Sequence, residues 1–434
     1  MRAPDLLGLA TGVGSRVGDV VGPQLEAVDA SVNLLREGYL FGSRRFARAG
    51  SDLFDTRLML TRAVFTYGEE AARHFYEPDR LTRRGALPLP TLTLLQDLGS
   101  AQVLDGEEHR VRKQMFMSMM TPAALDELTD LFERHWRDRA EQWAGTERVV
   151  LLDAVQEVLF RAVCEWSGVP LPDEPEQVQE RTRQFVAMFE GAGAFGPRNW
   201  RGQVLRHRAE QWVRDLVAQT RDGRLPVAEG RPLQVVATHR GPDGKLLDVG
   251  VAAVELVNVL RPTVAVGRFI VFAAHALHEN PESRPGVAED DGHLRRFVQE
   301  VRRYYPFFPL VGGRVREEFD WRGRRFQRGD WLLLDLYATN RDSRVWGDPE
   351  VFRPERFRDW DGSPFSFVPQ GGGDFSTAHR CAGEWVTIRL TERAVRLLTT
   401  ATTYDVPAQD LRIDLGTMPT APTSGLVLEH IRTV

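Results

Sequence analysis

Residues 365–390 read FSFVPQGGGDFSTAHRCAGEWVTIRL. One cysteine, Cys381, closes a glycine-rich loop and stands immediately before a run with helical spacing. A helix start offers unpaired amides and a partial positive charge. Those conditions favour thiolate over thiol, and His379 and Arg380 add positive charge beside it. A thiolate held this way can attack as a nucleophile, bind zinc or ligate a heme iron. Zinc needs more ligands than the sequence offers nearby, with no second cysteine and no close histidine pair. A nucleophile needs a base that the sequence does not place. The other cysteine, Cys164, lies in the apolar helical stretch LFRAVCEWSG and reads as inert core.

The chain around this loop has an ordinary globular profile: 434 residues, 42% hydrophobic, 27% charged, net charge -5. Lysine occurs only at Lys113 and Lys245, and no basic tract points to nucleic acid. Two cysteines make no disulfide framework. No uninterrupted stretch of about 18 uncharged apolar residues marks a membrane span. Gly, Asp and Pro break up residues 6–24, LLGLATGVGSRVGDVVGPQ, so no signal peptide is read there. The expectation is a cytoplasmic protein with no integral membrane segment.

Residues 20–50 read as helical, and FDTRLMLTRAVFTYG (54–68) as two short strands. From 67 to 290 the pattern is mostly helical, with acidic or small starts and glycine stops. Residues 310–340 turn to strands around glycine turns. A last helix follows Cys381. The expected fold is mainly α with a small β part, in one domain spanning residues 1–434.

The longest apolar run, GVAAVELVNVLRPTVAVGRFIVFAAHALH (250–278), reads as a buried helix. Arg261 and Pro262 stand side by side near its middle. A buried arginine is rare unless paired, and a helix-interior proline costs roughly 3 kcal/mol. One reading is an internal ion pair, with Glu255 as partner, plus a tolerated kink. The other is a functional anchor.

Two further motifs bear on this. FVQEVRRYYPFFP (297–309) holds Glu300 and Arg303 one helical turn apart, and DPEVFRPERF (348–357) supplies Arg356. The order E-x-x-R, F-x-P-E-R-F, glycine loop, Cys-x-Gly resembles the cytochrome P450 superfamily across essentially the whole chain. The resemblance implies a heme b between a proximal cysteine loop and a long distal helix, with Cys381 as the iron ligand. It implies a buried ion triad of Glu300, Arg303 and Arg356. It also implies heme-propionate contacts from His379 and, in LDGEEHRVRKQMF (104–116), from His109 and Lys113.

The wording FVPQGGGD…HRCAGEW, with Phe367 fourteen residues before the cysteine, is similar to a narrower branch, the bacterial fatty-acid peroxygenases. GSDLFDTRLM, GEEAARHFY, RGALP and VRRYYPFFP look like that branch too. Oxygen-activating members of the superfamily carry an acid–Thr pair above the iron, and here Arg261 and Pro262 take those places. Arginine stays protonated and proline has no hydroxyl. The resemblance implies that a long-chain fatty acid pairs its carboxylate with Arg261 and that this carboxylate does the acid–base work on hydrogen peroxide. Pro262 would shape the peroxide site and Gln102, in SAQVLDGEEH, would flank it. Alkene-forming members tend to have His at the Gln102 place, so hydroxylation at the α or β carbon is expected. Phe185 and Phe189, in QFVAMFEGAGAFGP, are candidates for lining the acyl channel. No dinucleotide fingerprint follows a strand, and the peroxide route needs no reductase. The rival readings are decarboxylation to terminal alkenes, a monooxygenase driven by redox partners, and a heme-binding sensor without turnover.

Overall fold

The computed structural model describes residues 29–434. The helical reading of residues 20–28 and the reading of residues 6–24 fall outside them. The strands are Leu53–Leu58 (β1), Thr61–Thr66 (β2), Leu81–Thr82 (β3), Arg148–Val150 (β4), Leu310–Val315 (β5), Phe319–Trp321 (β6), Arg324–Phe326 (β7), Trp331–Asp335 (β8), Thr402–Asp405 (β9) and Val427–Thr433 (β10). The expected hairpin forms between β1 and β2, with Leu58 opposite Thr61. Its two turn residues, Met59 and Leu60, sit at φ 49° and 61°, the twist that a two-residue hairpin turn requires. β8 then pairs parallel to β2 and antiparallel to β5, giving a five-stranded sheet of order β1-β2-β8-β5-β3. Phe54, Phe65, Leu333 and Trp331 pack together on one of its faces.

The remaining chain is mainly helical. The largest core cluster gathers the helices Leu151–Ser167, Pro175–Gly191, Pro197–Arg221 and Val249–Ala265. Cys164 is fully buried there, and burial pushes its thiol far up, so it is inert as expected.

The Arg261–Pro262 run is indeed a core helix. Asp248 caps it, its carboxylate accepting from the Gly250 amide at 2.7 Å. The helix continues through Pro262 to Ala265, breaks for one residue at Val266 and resumes as Gly267–Glu279. Proline cannot donate to the Asn258 carbonyl. One residue on, the Thr263 hydroxyl donates to the Val259 carbonyl at 2.9 Å. The combined stretch Val249–Glu279 is long and apolar enough to cross a membrane by length and composition. Glu255, Arg261 and Arg268 interrupt it, so the sequence reading that no uncharged apolar stretch of that length exists stands. Inside the protein, 78% of its most apolar window is buried, and it is the central helix of the core.

The expected triad is present. Arg303 Nε and Nη2 donate to Glu300 Oε2 and Oε1 at 2.7 and 2.8 Å, and Arg356 Nε donates to Glu300 Oε1 at 3.1 Å. Arg303 also donates to the Asn340 and Pro349 carbonyls. Arg356 does the same to Asp348 and Val351. The helix Asp291–Tyr304 is thereby tied to the segment that leads to the cysteine loop.

Candidate active site

The distal helix meets the segment 94–102 along its length. Glu255 Oε1 accepts from the Ala101 amide at 2.8 Å and from Arg112 at 2.5 Å. One turn on, Asn258 Nδ2 reaches the Gln102 side chain and the Gln96 carbonyl, each at 3.4 Å. One turn further, Arg261 Nη1 donates to the Leu94 carbonyl at 3.4 Å. Residues at a spacing of three share a helix face, so 255, 258 and 261 read this segment in reverse order. Gln102 thus lies against the distal helix.

Arg261 is buried and has no ion pair among the described residues. Burial first, and repulsion from Arg206 second, lower its guanidinium to about 9, with the Cys381 sulfur acting the other way. It is a charged group at neutral pH with no carboxylate paired to it among the described residues. The proposed partner Glu255 is already taken by Arg112, which removes the internal ion pair as an account of Arg261.

On the opposite side, Gln370 accepts the Cys381 amide at its carbonyl, 3.2 Å away, and points its side-chain amide at the sulfur, 3.9 Å away. The terminal helix Glu384–Arg396 starts three residues later. Of the two expected sources of positive charge, His379 needs correction: it is held neutral by burial, then by Arg83 and His109. Arg380 keeps its charge against burial, with Glu384 and Cys381 among the groups that raise it, and is bonded to Glu384 at 2.6 Å. Burial raises the Cys381 thiol, and Glu384 adds to that. The Gly383 amide, Lys113 and Arg302 pull it down. Arg302, missed from sequence, is fully buried and bonded to Glu384 at 2.5 Å and to Gln370 at 3.1 Å.

His109 and His379, 270 chain positions apart, have ring centroids 3.9 Å apart. Lys113 donates to the Arg380 carbonyl at 2.5 Å. Arg83, also missed, donates to the Gly312 carbonyl at 2.6 Å. Burial lowers His109 to about 4, with Lys113 and Arg83 adding to the effect. The cluster of Arg83, His109, Lys113 and His379 is thus rich in donors and cations and poor in acids.

Whether a heme fits is decided by this surrounding. Cys381, His379 and Arg83 are each half-accessible, yet burial dominates their ionisation. Both hold where the side chains face an internal cavity. A sulfur at one place, and donors suited to carboxylates at another, match the two kinds of contact that a heme makes with protein. Among the described residues no group of three or more His, Cys, Asp or Glu could hold a bare metal ion. The residues present fit the heme.

Phe185 is fully buried between Phe160 and Trp212, with ring centroids 5.4 and 6.4 Å away. Phe189 lies under the Arg268 guanidinium, 4.8 Å from its ring centroid. Both belong to the main core cluster.

Comparison with known proteins agrees with this layout. The sequence profile of the cytochrome P450 family matches residues 293–388. The structure superposes on cytochrome P450EX alpha (CYP152N1) solved with myristic acid, at 44% identity and TM-score 0.92, covering 95% of this chain and 100% of that one. It superposes on cytochrome P450SP alpha (CYP152B1) in complex with (R)-ibuprophen at 42% identity and TM-score 0.91, covering 94% and 99%. A variant of cytochrome P450 OleT in complex with arachidonic acid matches at 34% identity and TM-score 0.92, covering 95% and 99%. Among curated sequences, putative cytochrome P450 120 from Synechocystis is 24% identical over 422 residues, 90% of this chain and 91% of that protein. The chain belongs to the cytochrome P450 family, in its fatty-acid peroxygenase branch, whose oxidoreductases carry heme on a cysteine thiolate.

Proposed function

We propose that this protein uses hydrogen peroxide to hydroxylate long-chain fatty acids at the α or β carbon, as one heme-thiolate domain over residues 1–434. Heme held on Cys381, with its propionates at His109, Lys113, His379 and Arg83, supplies the oxidising chemistry, which thiolate donation favours. The chain's own residues do the rest. Arg261 presents a planar fork that suits a carboxylate, in surroundings that leave its charge unpaired. Holding the acid there fixes the two carbons next to it nearest the reaction centre. The same carboxylate is positioned to move a proton on peroxide, a role that neither Arg261 nor Pro262 can take. Pro262 offers no amide hydrogen to its helix and leaves the Asn258 carbonyl free on the distal side. Gln102 is held to Asn258 and flanks that space. Phe189 and Phe185 line the way for the acyl tail, where each buried methylene adds about 0.8 kcal/mol. The oxidant arrives with both electrons' worth of oxidation already in place, so no reductase is required. The setting is cytoplasmic.

The observation that carries this reading is the Arg261 guanidinium, buried with a single carbonyl contact at 3.4 Å and no ion partner among the described residues. An internal cation without a partner costs several kcal/mol, a cost that an incoming carboxylate offsets. Arg261→Ala tests it. Peroxide-driven myristate turnover should fall by about three orders of magnitude while heme stays bound; retained turnover would remove the anchor. Gas chromatography of the wild-type products then separates hydroxy acids from terminal alkenes. Turnover that requires a reductase in place of peroxide would favour the redox-partner reading.

A further inference from the structure

A second arginine stands at the anchor. Arg206, on the helix Pro197–Arg221, is 3% exposed. Its Nη1 donates to the Leu94 carbonyl at 3.0 Å, the same oxygen that Arg261 contacts at 3.4 Å. Its Nη2 holds Asp97 Oδ2 at 3.0 Å, and its Nε lies 3.5 Å from Glu210. Two guanidinium groups therefore converge on one backbone oxygen; of the two acids nearby, Asp97 goes to Arg206, and Glu210 is shared between Arg206 and Arg214, which it meets at 2.7 Å.

We infer that Arg206 is a positioning residue for substrate binding: it sequesters Asp97 and so keeps Arg261 open to the carboxylate of a fatty acid. The inference rests on the proposed anchoring role of Arg261. Its logic is competition. Leu94 O and Asp97 Oδ2 sit on neighbouring amino groups of one guanidinium, and Arg261 already touches the first of them. Asp97 follows the helix Leu89–Leu95 closely and belongs to the segment laid along the distal helix. Without Arg206 its Oδ2 would lose its cation beside the Leu94 oxygen that Arg261 already contacts, while its Oδ1 stays on the Leu98 amide. An internal acid on a short tether outcompetes a free one present at low concentration. Arg206 also leaves Arg261 the worse for being alone, since two buried cations repel, and an incoming carboxylate relieves that repulsion. The arrangement thus selects an anionic head group twice, by occupying the rival acid and by raising the demand for a new one.

The test uses the holoenzyme and myristate as the probe, with affinity measured by equilibrium dialysis beside KM and kcat. Arg206→Leu should weaken myristate binding tenfold or more and raise KM to match, with kcat at saturation within about threefold. Arg206→Leu combined with Asp97→Asn should restore binding to within about threefold of wild type. A binding loss that the second change does not rescue, or no loss at all, overturns the role of Arg206. Arg261→Ala separates the two readings. If it binds myristate like wild type, the anchor itself fails. If it binds weakly while Arg206→Leu binds normally, only the present inference fails. Circular dichroism and heme content of each variant establish that it is folded, and the rescue by Asp97→Asn is an outcome that mere structural damage would not give.

Discussion

Glu255 and Arg112 meet at 2.5 Å inside the protein, with the carboxylate fully sealed from solvent and the guanidinium at its edge. The pair explains how a second ionisable residue is carried on the distal helix two turns before Arg261. Burial leaves Glu255 raised overall, with Arg112, Asn258 and the Ala101 amide opposing part of that rise. Arg112→Leu would leave that carboxylate stranded, at a cost of about 3–5 kcal/mol. Glu255→Gln should cost less, because Arg112 can turn outward. The double leucine variant should recover most of the loss. Thermal melts of the three holoenzymes measure this order. Myristate affinity of the double variant is expected near wild type, and its loss would make Glu255 part of the anchor.

The helix through Pro262 yields a prediction in which stability and activity part company. Pro262→Ala returns an amide donor to the Asn258 carbonyl and removes the ring from the preceding turn. The fold should gain up to about 3 kcal/mol, seen as a higher melting temperature. Peroxide-driven turnover should fall, since the restored bond closes the opening on the distal side. A variant that is both more stable and equally active would separate the proline from the peroxide site.

Much of this site was legible in the sequence, and the reasons are physical. The triad has two members one turn apart, Glu300 and Arg303, and helical spacing alone brings those two together. The distal helix announced itself by length and by two residues that a core helix avoids. The glycine loop and cysteine are contiguous. What stayed hidden was contact across the chain. Arg112 and Glu255 are 143 residues apart, Arg206 and Asp97 109, Arg302 and Glu384 82. No spacing rule reaches that far. Glu384 lies four residues after Arg380, the spacing of a helical ion pair, so that contact was open to reading. His379 was misjudged because burial, the term that keeps it uncharged, is a tertiary property.

Glu300 sits between two arginines, and the two are not equivalent. Arg303 is bonded to both carboxylate oxygens, whereas Arg356 reaches only one and spends its other donors on carbonyls of the approach to the cysteine loop. Arg303→Leu should cost about 3–5 kcal/mol and much of the folded yield. Arg356→Leu should leave more protein folded, since Arg303 still covers Glu300, but loosen the loop. Heme content per folded chain is the distinguishing measurement. It is expected to drop further in Arg356→Leu than in Arg303→Leu, and equal retention would deny Arg356 a separate role.

The neighbouring imidazoles of His109 and His379, tilted 32° to each other, predict how the heme-free protein responds to acid. His109 is lowered from 6.5 to about 4 in the folded chain, by burial first and then by Lys113 and Arg83. A base whose folded pKa lies below its unfolded value takes up a proton in the unfolded state first. Stability is therefore complete at neutral pH. It is lost as pH falls from about 6.5 toward 4, and levels off below that. Solvent reaches part of this site, so the loss attributable to His109 is of order 1–2 kcal/mol after screening. The melting temperature of heme-free protein should drop between pH 7 and pH 4.5, and His109→Phe should flatten that profile. With heme in place, carboxylates beside the two rings favour the protonated forms and oppose the loss. The holoenzyme should show the shallower dependence. An equally steep profile with heme bound would mean that the propionates lie elsewhere.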